Sequence, residues 1–339
     1  MANHVQTVGH APDPSRASPR VSVGLLVVVC GVLGFFAAVP FALPALTFVL
    51  TIALAKGLAA LGVALLLRAG LISLGHAMYF ATGAYTVAFL SRAGVSDYLV
   101  LLVAAIIISC VSGLVVGAFL ARFRAIFFGM LSLAVSMVVF SLLSKLFTIT
   151  GGTDGMSVAV PTVFGITLTK GQFDLVNYGV TVGLVGVLLL LVARYLKSPL
   201  GEALTAIHSN EIRLEYLGVS AWSVILTGYT LSAALAGLGG ALAVLAVGHA
   251  LPEFAFWTES GHLVLTAVLG GIGSVFGPIA GSIFIEIIHL WANDVAAEAW
   301  NMIMGIALLL VIFFLPRGIW SLGSVVRLTS QRGTGGQKS

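Results

Sequence analysis

Four ionisable side chains, Lys56, His76, Glu286 and His289, stand inside otherwise apolar runs of the sequence. A charge at the centre of a lipid bilayer costs about 2.5 to 3.5 kcal/mol even on the mildest insertion scale, so each must face a partner, a cavity or the interface. For Lys56 and Glu286 an internal ion pair or snorkelling is the simpler account, with a role in a pathway as the alternative. His76 and His289 are simplest as core or interface histidines. A set this sparse does not make a proton relay, and the remaining chemistry is defined by what is missing. No glycine precedes a lysine, so the phosphate-cradling loop that ends Gly-Lys-Ser/Thr is absent, and so are His-Glu-x-x-His and the dinucleotide fingerprint. Cys30 and Cys110 both lie in apolar segments and read as packing residues. We expect no catalytic residue, no metal site and no cofactor bound by this chain.

Pro199 to Ser220, PLGEALTAIHSNEIRLEYLGVS, is the longest polar excursion that also carries helical patterning. Leu204, Ile207, Leu214 and Leu217 fall on one helical arc, while Glu202, Glu211, Arg213 and Glu215 supply charge in a chain with only 8% charged residues. This outlines a docking surface. Ser209 or Asn210 can cap a second start and Gly218 can close its end, which predicts two short helices with a break at 208–210.

The elements that hold these residues are set by composition. With 59% hydrophobic residues and a mean hydropathy of +1.13, the 339-residue chain reads as an all-α, polytopic transmembrane bundle. About eight to ten membrane segments are expected, including broken or re-entrant ones. The 40 glycines sit in apolar runs, where close backbone approach drives helix association in lipid. A net charge of +4 reflects basic residues at segment ends, which argues for membrane orientation rather than nucleic acid.

In order, residues 1–20 read as a disordered cytoplasmic tail, and 21–317 as the transmembrane domain, opening with an apolar run from Val21 to about Ala42. A second span, Leu46 to Leu67, stops at Arg68. Gly70 to Leu90 can cross as a broken helix, Tyr98 to Leu120 returns to Arg122 and Arg124, and Ile126 to Phe147 goes out again. The external loop, 148–174, contains the turn-forming GGTDG of Gly151 to Gly155. Leu175 to Ala193 comes inward to the cytoplasmic loop 195–220, and Ser223 to Val247 leaves with small residues at Ser232, Ala236 and Gly240 and beside them at Ala233, Gly237 and Ala241. His262 to Leu269 and Ile279 to Leu290 are joined by GGIGSVFGPIAG, whose five glycines and Pro278 predict a pair of short helices. Asp294 and Glu298 fall outside, Trp300 to Leu315 is the last span, and 318–339 is a basic cytoplasmic tail. On this topology 12 of the 16 Lys and Arg are cytoplasmic.

The two glycine-broken segments point to a translocation path, because non-helical backbone at membrane depth is tolerated where it lines a cavity or is buried in protein. Candidate path residues are Ser73, Gly75, His76 and Gly83 in the first half and Gly271, Gly273, Gly277 and Glu286 in the second. Tight packing alone is an equal reading of the glycines.

GLISLGHAMYFATGAYTVAFL (Gly70 to Leu90), GGTDG, SPLGEALTAIHSNEIRLEYLGVS, LSAALAGLGGALAV, VLGGIGSVFGPIAGSIF and FFLPRGIW occur in an order that resembles the permease subunits of branched-chain amino-acid ATP-binding-cassette importers, of the LivM type. The resemblance spans about Leu46 to Trp320. It implies a bacterial inner-membrane importer with both termini cytoplasmic. The implied partners are two ATPase subunits that bind ATP and magnesium, a second permease subunit of the LivH type and a periplasmic solute-binding protein. It also implies that the ATPase coupling loop comprises Glu202, Ala203, Leu204, Ile207, Glu211, Glu215 and Gly218, where Glu202 and Ala203 resemble the family's Glu-Ala-Ala start and Gly218 its later glycine. Leu204 departs from the second alanine, and Lys56 and Arg68 stand where such permeases usually lack charge. Related permeases carry urea, amides or aromatic acids. An ATP-independent channel or ion-coupled carrier is the alternative of a different class, and an integral-membrane enzyme lacks the catalytic cluster it would need.

Overall fold

The computed structural model describes residues 46–296 continuously and isolated positions within 31–40 and 302–313. The expected tails, the run from Val21 to Ala42 and the span from Trp300 to Leu315 lie outside the described residues, those isolated positions apart. The described chain is an all-α bundle of a multi-pass membrane protein. Among the described residues five helices are long and apolar enough to cross a bilayer: α1 (Leu46–Arg68), α3 (Tyr98–Leu120), α4 (Ala125–Lys145), α5 (Lys170–Leu196) and α7 (Ala221–Val247). Shorter elements fill the bundle: α2 (His76–Arg92), α6 (Pro199–Tyr216), α8 (Trp257–Gly270) and α9 (Gly277–Ala296).

Local chemistry starts and stops these helices. Asp97 caps α3, its Oδ1 accepting from the backbone N–H of Leu99 at 3.0 Å and of Val100 at 3.2 Å. Pro199 opens α6 behind Ser198, whose hydroxyl accepts from Gly201 N. Gly248, in the left-handed region at φ 78°, ends α7.

The core lies between α1 and α7, with α2 and α3 packed against α7. The small residues of α7 permit this. A Cβ on Gly83 of α2 would strike the Gly237 carbonyl, and one on Gly237 would strike the Ser109 hydroxyl of α3. The small-residue faces expected on this helix are therefore its contact faces.

Two segments break the helical pattern inside the bundle. Residues 71–75 run without helix before α2 begins at His76. Residues 271–276 separate α8 from α9, which fold back on each other so that Gly281 packs on the Thr266 carbonyl and on Gly270. The predicted pair of short helices is thus a hairpin, seated against α1 where Ser282 donates to the Ala53 carbonyl at 2.6 Å. In the loop before α5, Gly151, Gly152 and Gly155 all take positive φ, as the GGTDG turn requires. A two-residue antiparallel ladder, β1 (Met156–Ser157) on β2 (His249–Ala250), pins this loop to the end of α7.

Candidate coupling and translocation sites

The polar stretch after α5 forms α6, a helix kinked at Asn210, whose φ of −165° and ψ of 97° are extended. Asn210 Oδ1 accepts from Arg213 N at 3.0 Å and so caps the second half. The two-helix expectation and the position of the break agree with this geometry.

The expected docking arc faces the bundle rather than outward, on both sides of that kink. Ala203, Leu204, Ile207 and Leu214 are buried within the protein. Leu204 packs on Gly228 of α7 beneath the Tyr195 hydroxyl, and Gly201 abuts the Tyr195 carbonyl. Leu217, by contrast, is 75% exposed, beside Ile212 at 66% and Tyr216 at 87%. The correction has a physical reason: α6 needs its own apolar face, Leu204 and Ile207 before the kink and Leu214 after it, to seat on the bundle, and Ile212, Tyr216 and Leu217 are what is left facing outward. Glu202, Glu215 and Gly218 are exposed. Glu211 turns back into the protein, where Arg124 grips it with Nε to Oε2 at 2.8 Å and Nη2 to Oε1 at 2.6 Å. The hydrogen bonds from Arg124 hold the Glu211 carboxyl below its ordinary range. A lowered carboxylate pKa makes this contribution complete at neutral pH and loses it only as acidification protonates Glu211. Gly70, just after α1, sits against the His208 ring, so α6 touches α5, α7, the α3–α4 turn and the end of α1.

The candidate path residues fall into two groups. In the first, His76 is wholly buried; Nδ1 lies 2.8 Å from Ser73 Oγ and Nε2 2.5 Å from Ser232 Oγ of α7. Tyr79 donates to Tyr229 at 3.1 Å, and both rings stand edge-on to the His76 ring. Ser132 of α4 accepts from Leu74 N at 3.0 Å, and Ser260 of α8 from Ala77 N at 2.9 Å. Gly75 lies directly on the Ser132 carbonyl, and Gly83 on Gly237.

In the second group, Lys56 Nζ lies 2.8 Å from Glu286 Oε1, an internal ion pair, one of the two simpler accounts of these residues beside snorkelling, and His289 Nδ1 lies 3.7 Å from Glu286 Oε2. Gly277 packs on the Gly270 and Gly271 carbonyls; Gly271 has φ 102°, and a Cβ on Gly273 would meet open space. The two groups belong to different breaks and do not form one cluster. Sequence reasoning missed Arg124, read only as an orienting charge, and Ser132, Ser260, Tyr79 and Tyr229. Hydroxyl residues in apolar helices opposite a lone histidine were the available signal. Among the described residues no group of His, Cys, Asp or Glu could hold a metal ion.

The family model described as "Branched-chain amino acid transport system / permease component" matches residues 45–313. Over 262 residues the chain is 30% identical to the high-affinity branched-chain amino acid transport system permease protein LivM of Escherichia coli, covering 71% of this chain and 61% of that protein. LivM of Salmonella typhimurium is 29% identical over the same extent. BraD of Pseudomonas aeruginosa, another permease protein of such a system, is 30% identical over 125 residues, 36% of this chain and 40% of its own. The chain thus spans about three-fifths of the length of the LivM relatives it matches. No solved structure matches it.

Proposed function

The chain belongs to the branched-chain amino acid transport permease family, and from that premise we propose that it is the transmembrane subunit of an ATP-binding-cassette importer in a bacterial inner membrane. It carries branched-chain or chemically related amino acids, as the names of its relatives indicate. Two cytoplasmic ATPase subunits supply ATP hydrolysis, a second permease subunit completes the path, and an external binding protein delivers the solute. Both termini are cytoplasmic, 195–220 is the cytoplasmic coupling loop and 148–174 the external loop, where Thr153 and Asp154 are exposed for the binding protein.

The observation that carries this reading is the outward face of α6. Ile212, Tyr216 and Leu217 form an exposed apolar patch flanked by Arg213 and Glu215, next to a polar loop rather than within a span. The sequence has no nucleotide loop of its own, so a patch of this kind is where a separate ATPase would seat. The half of α6 that grips the bundle through Leu204 and Ile207 would carry the resulting motion to α7. Ser73 and His76 stand at the first break and Glu286 on the hairpin helix that follows the second, where α1, α2, α7 and the α8–α9 hairpin could line the path.

The triple change Ile212→Asp, Tyr216→Asp and Leu217→Asp should remove the ATPase subunits from the purified complex, because an exposed anchor cluster of this type is worth about 2 kcal/mol or more per dominant residue. Insertion of the permease should be unaffected, since these side chains are largely exposed. Retention of both ATPases together with normal uptake would defeat the assignment, whereas uptake without ATP in vesicles holding only this chain would favour the channel or carrier.

A further inference from the structure

The two halves of α6 are attached to different parts of the bundle. The first half is fixed to α5 and α7 through Gly201 on the Tyr195 carbonyl and Leu204 on Gly228. The second half is joined to the α3–α4 turn by the two-pronged contact of Arg124 with Glu211. Between them stands the extended residue Asn210, which gives the helix a hinge. Arg124 itself is not a loose surface side chain, because its Nη1 also donates to the carbonyls of Ala121 at 2.6 Å and Phe123 at 2.9 Å. It immediately precedes Ala125, a non-glycine residue with φ 49°, at the first position of α4. The turn is therefore held from both sides, and a displacement of Glu211 is delivered to the start of α4 rather than absorbed.

Two turns further along α4, Ser132 holds the non-helical segment before α2 by accepting from Leu74 N, and its carbonyl lies against Gly75. Phe128, between them, meets the Tyr229 ring of α7 edge-on at 5.9 Å. The same non-helical segment is tied to α7 by Ser73 and His76, the latter 2.5 Å from Ser232. The break at 71–75 is thus strung between α4 and α7, the two helices that the two halves of α6 hold separately.

We propose that the Arg124–Glu211 pair is the strut through which a movement of the second half of α6 reaches α4 and, through Ser132, the break that precedes His76. Arg124 is in this sense a positioning residue for transport. Bending at Asn210 changes the spacing of α4 and α7, and the segment bridging them has to follow. The forked guanidinium–carboxylate contact suits the task, since it fixes direction as well as distance, which a single lysine bond would not. Both side chains are about one-third exposed, so the pair adds little to stability; its value is mechanical continuity.

The inference rests on the proposed seat of the ATPases on α6, and the test separates the two. The complete importer, with its ATPases and binding protein, is reconstituted in liposomes, and bound ATPase, ATP hydrolysis and solute uptake are measured together. Arg124→Ala should keep both ATPases bound and hydrolysing while uptake per ATP falls about fivefold to tenfold, the range of a typical coupling free energy. Arg124→Lys should fall between, and the exchange of Arg124→Glu with Glu211→Arg should restore most of the loss relative to Arg124→Glu alone. Unchanged uptake per ATP in Arg124→Ala, or an exchange no better than the single charge reversal, overturns the strut. Loss of the ATPases from Arg124→Ala also overturns it, since the pair would then shape the seat and not transmit from it. If the unaltered complex holds no ATPase on α6, the proposed function fails instead.

Discussion

The two breaks inside the bundle are built with opposite chemistry. The first, at 71–75, is closed by neutral groups: hydroxyls of Ser73, Ser132, Ser232 and Ser260, the His76 ring and the Tyr79–Tyr229 pair, with Ser73, His76, Ser132, Ser232 and Ser260 all fully buried. The second, at 271–276, is closed by glycine contacts, and its hairpin is fastened to α1 by the Lys56–Glu286 pair, whose lysine side chain is still 31% exposed. Lys56 lies near the middle of a 23-residue apolar helix, so that exposure cannot be to hydrocarbon without a large cost. The exposed side chains of α3 and α4 are almost all apolar, Val103, Ile107, Val111, Leu114, Met130 and Val138 among them, as lipid contact demands. The difference teaches that the first break is a sealed joint, while the hairpin of the second carries a charged pair that stays partly accessible.

The largest expected effect lies at the second break. Lys56→Met leaves the Glu286 carboxylate, with its side chain only 9% exposed, without its cation, and removal of one partner of such a pair is worth about 3 kcal/mol. Loss of the folded fraction in detergent, followed by size-exclusion chromatography during heating, measures this. The double change Lys56→Met and Glu286→Met should recover most of the stability, because an apolar pair needs no partner. A single Lys56→Met variant as stable as the parent would mean that this surface is wet enough to tolerate a lone charge, and the contrast between the breaks would narrow.

At the first break the corresponding change is His76→Leu. It removes both imidazole contacts and leaves Ser73 and Ser232 hydroxyls buried, for about 1 to 3 kcal/mol. Asn or Gln at the same position keeps a donor and an acceptor and should lose less. Equal losses in His76→Leu and His76→Gln would show that ring packing against Tyr79 and Tyr229, rather than hydrogen bonding, seals the joint.

Much of this architecture was legible from the chain, for identifiable reasons. Apolar runs about as long as a bilayer is thick fix the five long helices, and the small residues of α7 announce where others approach it. The helix break at Asn210 was readable because an asparagine cap leaves a local signature. The direction in which Leu204 and Ile207 face was not, since an amphipathic arc says only that one side is apolar and never whether it meets its own bundle or another protein. The Arg124–Glu211 contact joins residues 87 apart, and nothing in either neighbourhood points to the other. Periodicity reports local structure; pairing between distant turns depends on how the helices cross.

The smallest effects give the sharpest contrast, because they change one methyl group. At Gly75 a Cβ would run into the backbone of Ser132, including its carbonyl carbon at 2.9 Å, and a helix backbone cannot yield as the end of a side chain can. Gly75→Ala should therefore destabilise by about 1 kcal/mol or more, the ordinary consequence of overpacking a filled site. At Gly273 the added Cβ meets nothing within 4 Å and the backbone is not in the left-handed region, so Gly273→Ala should stay within about 0.5 kcal/mol of the parent. Thermal unfolding of the two alanine variants side by side reads the difference without any transport assay. If both are neutral, the first joint has slack and is not sealed by close packing; if both are destabilised, the open space beside Gly273 is filled in the assembled protein, which places a partner or a flanking segment of this chain against the hairpin.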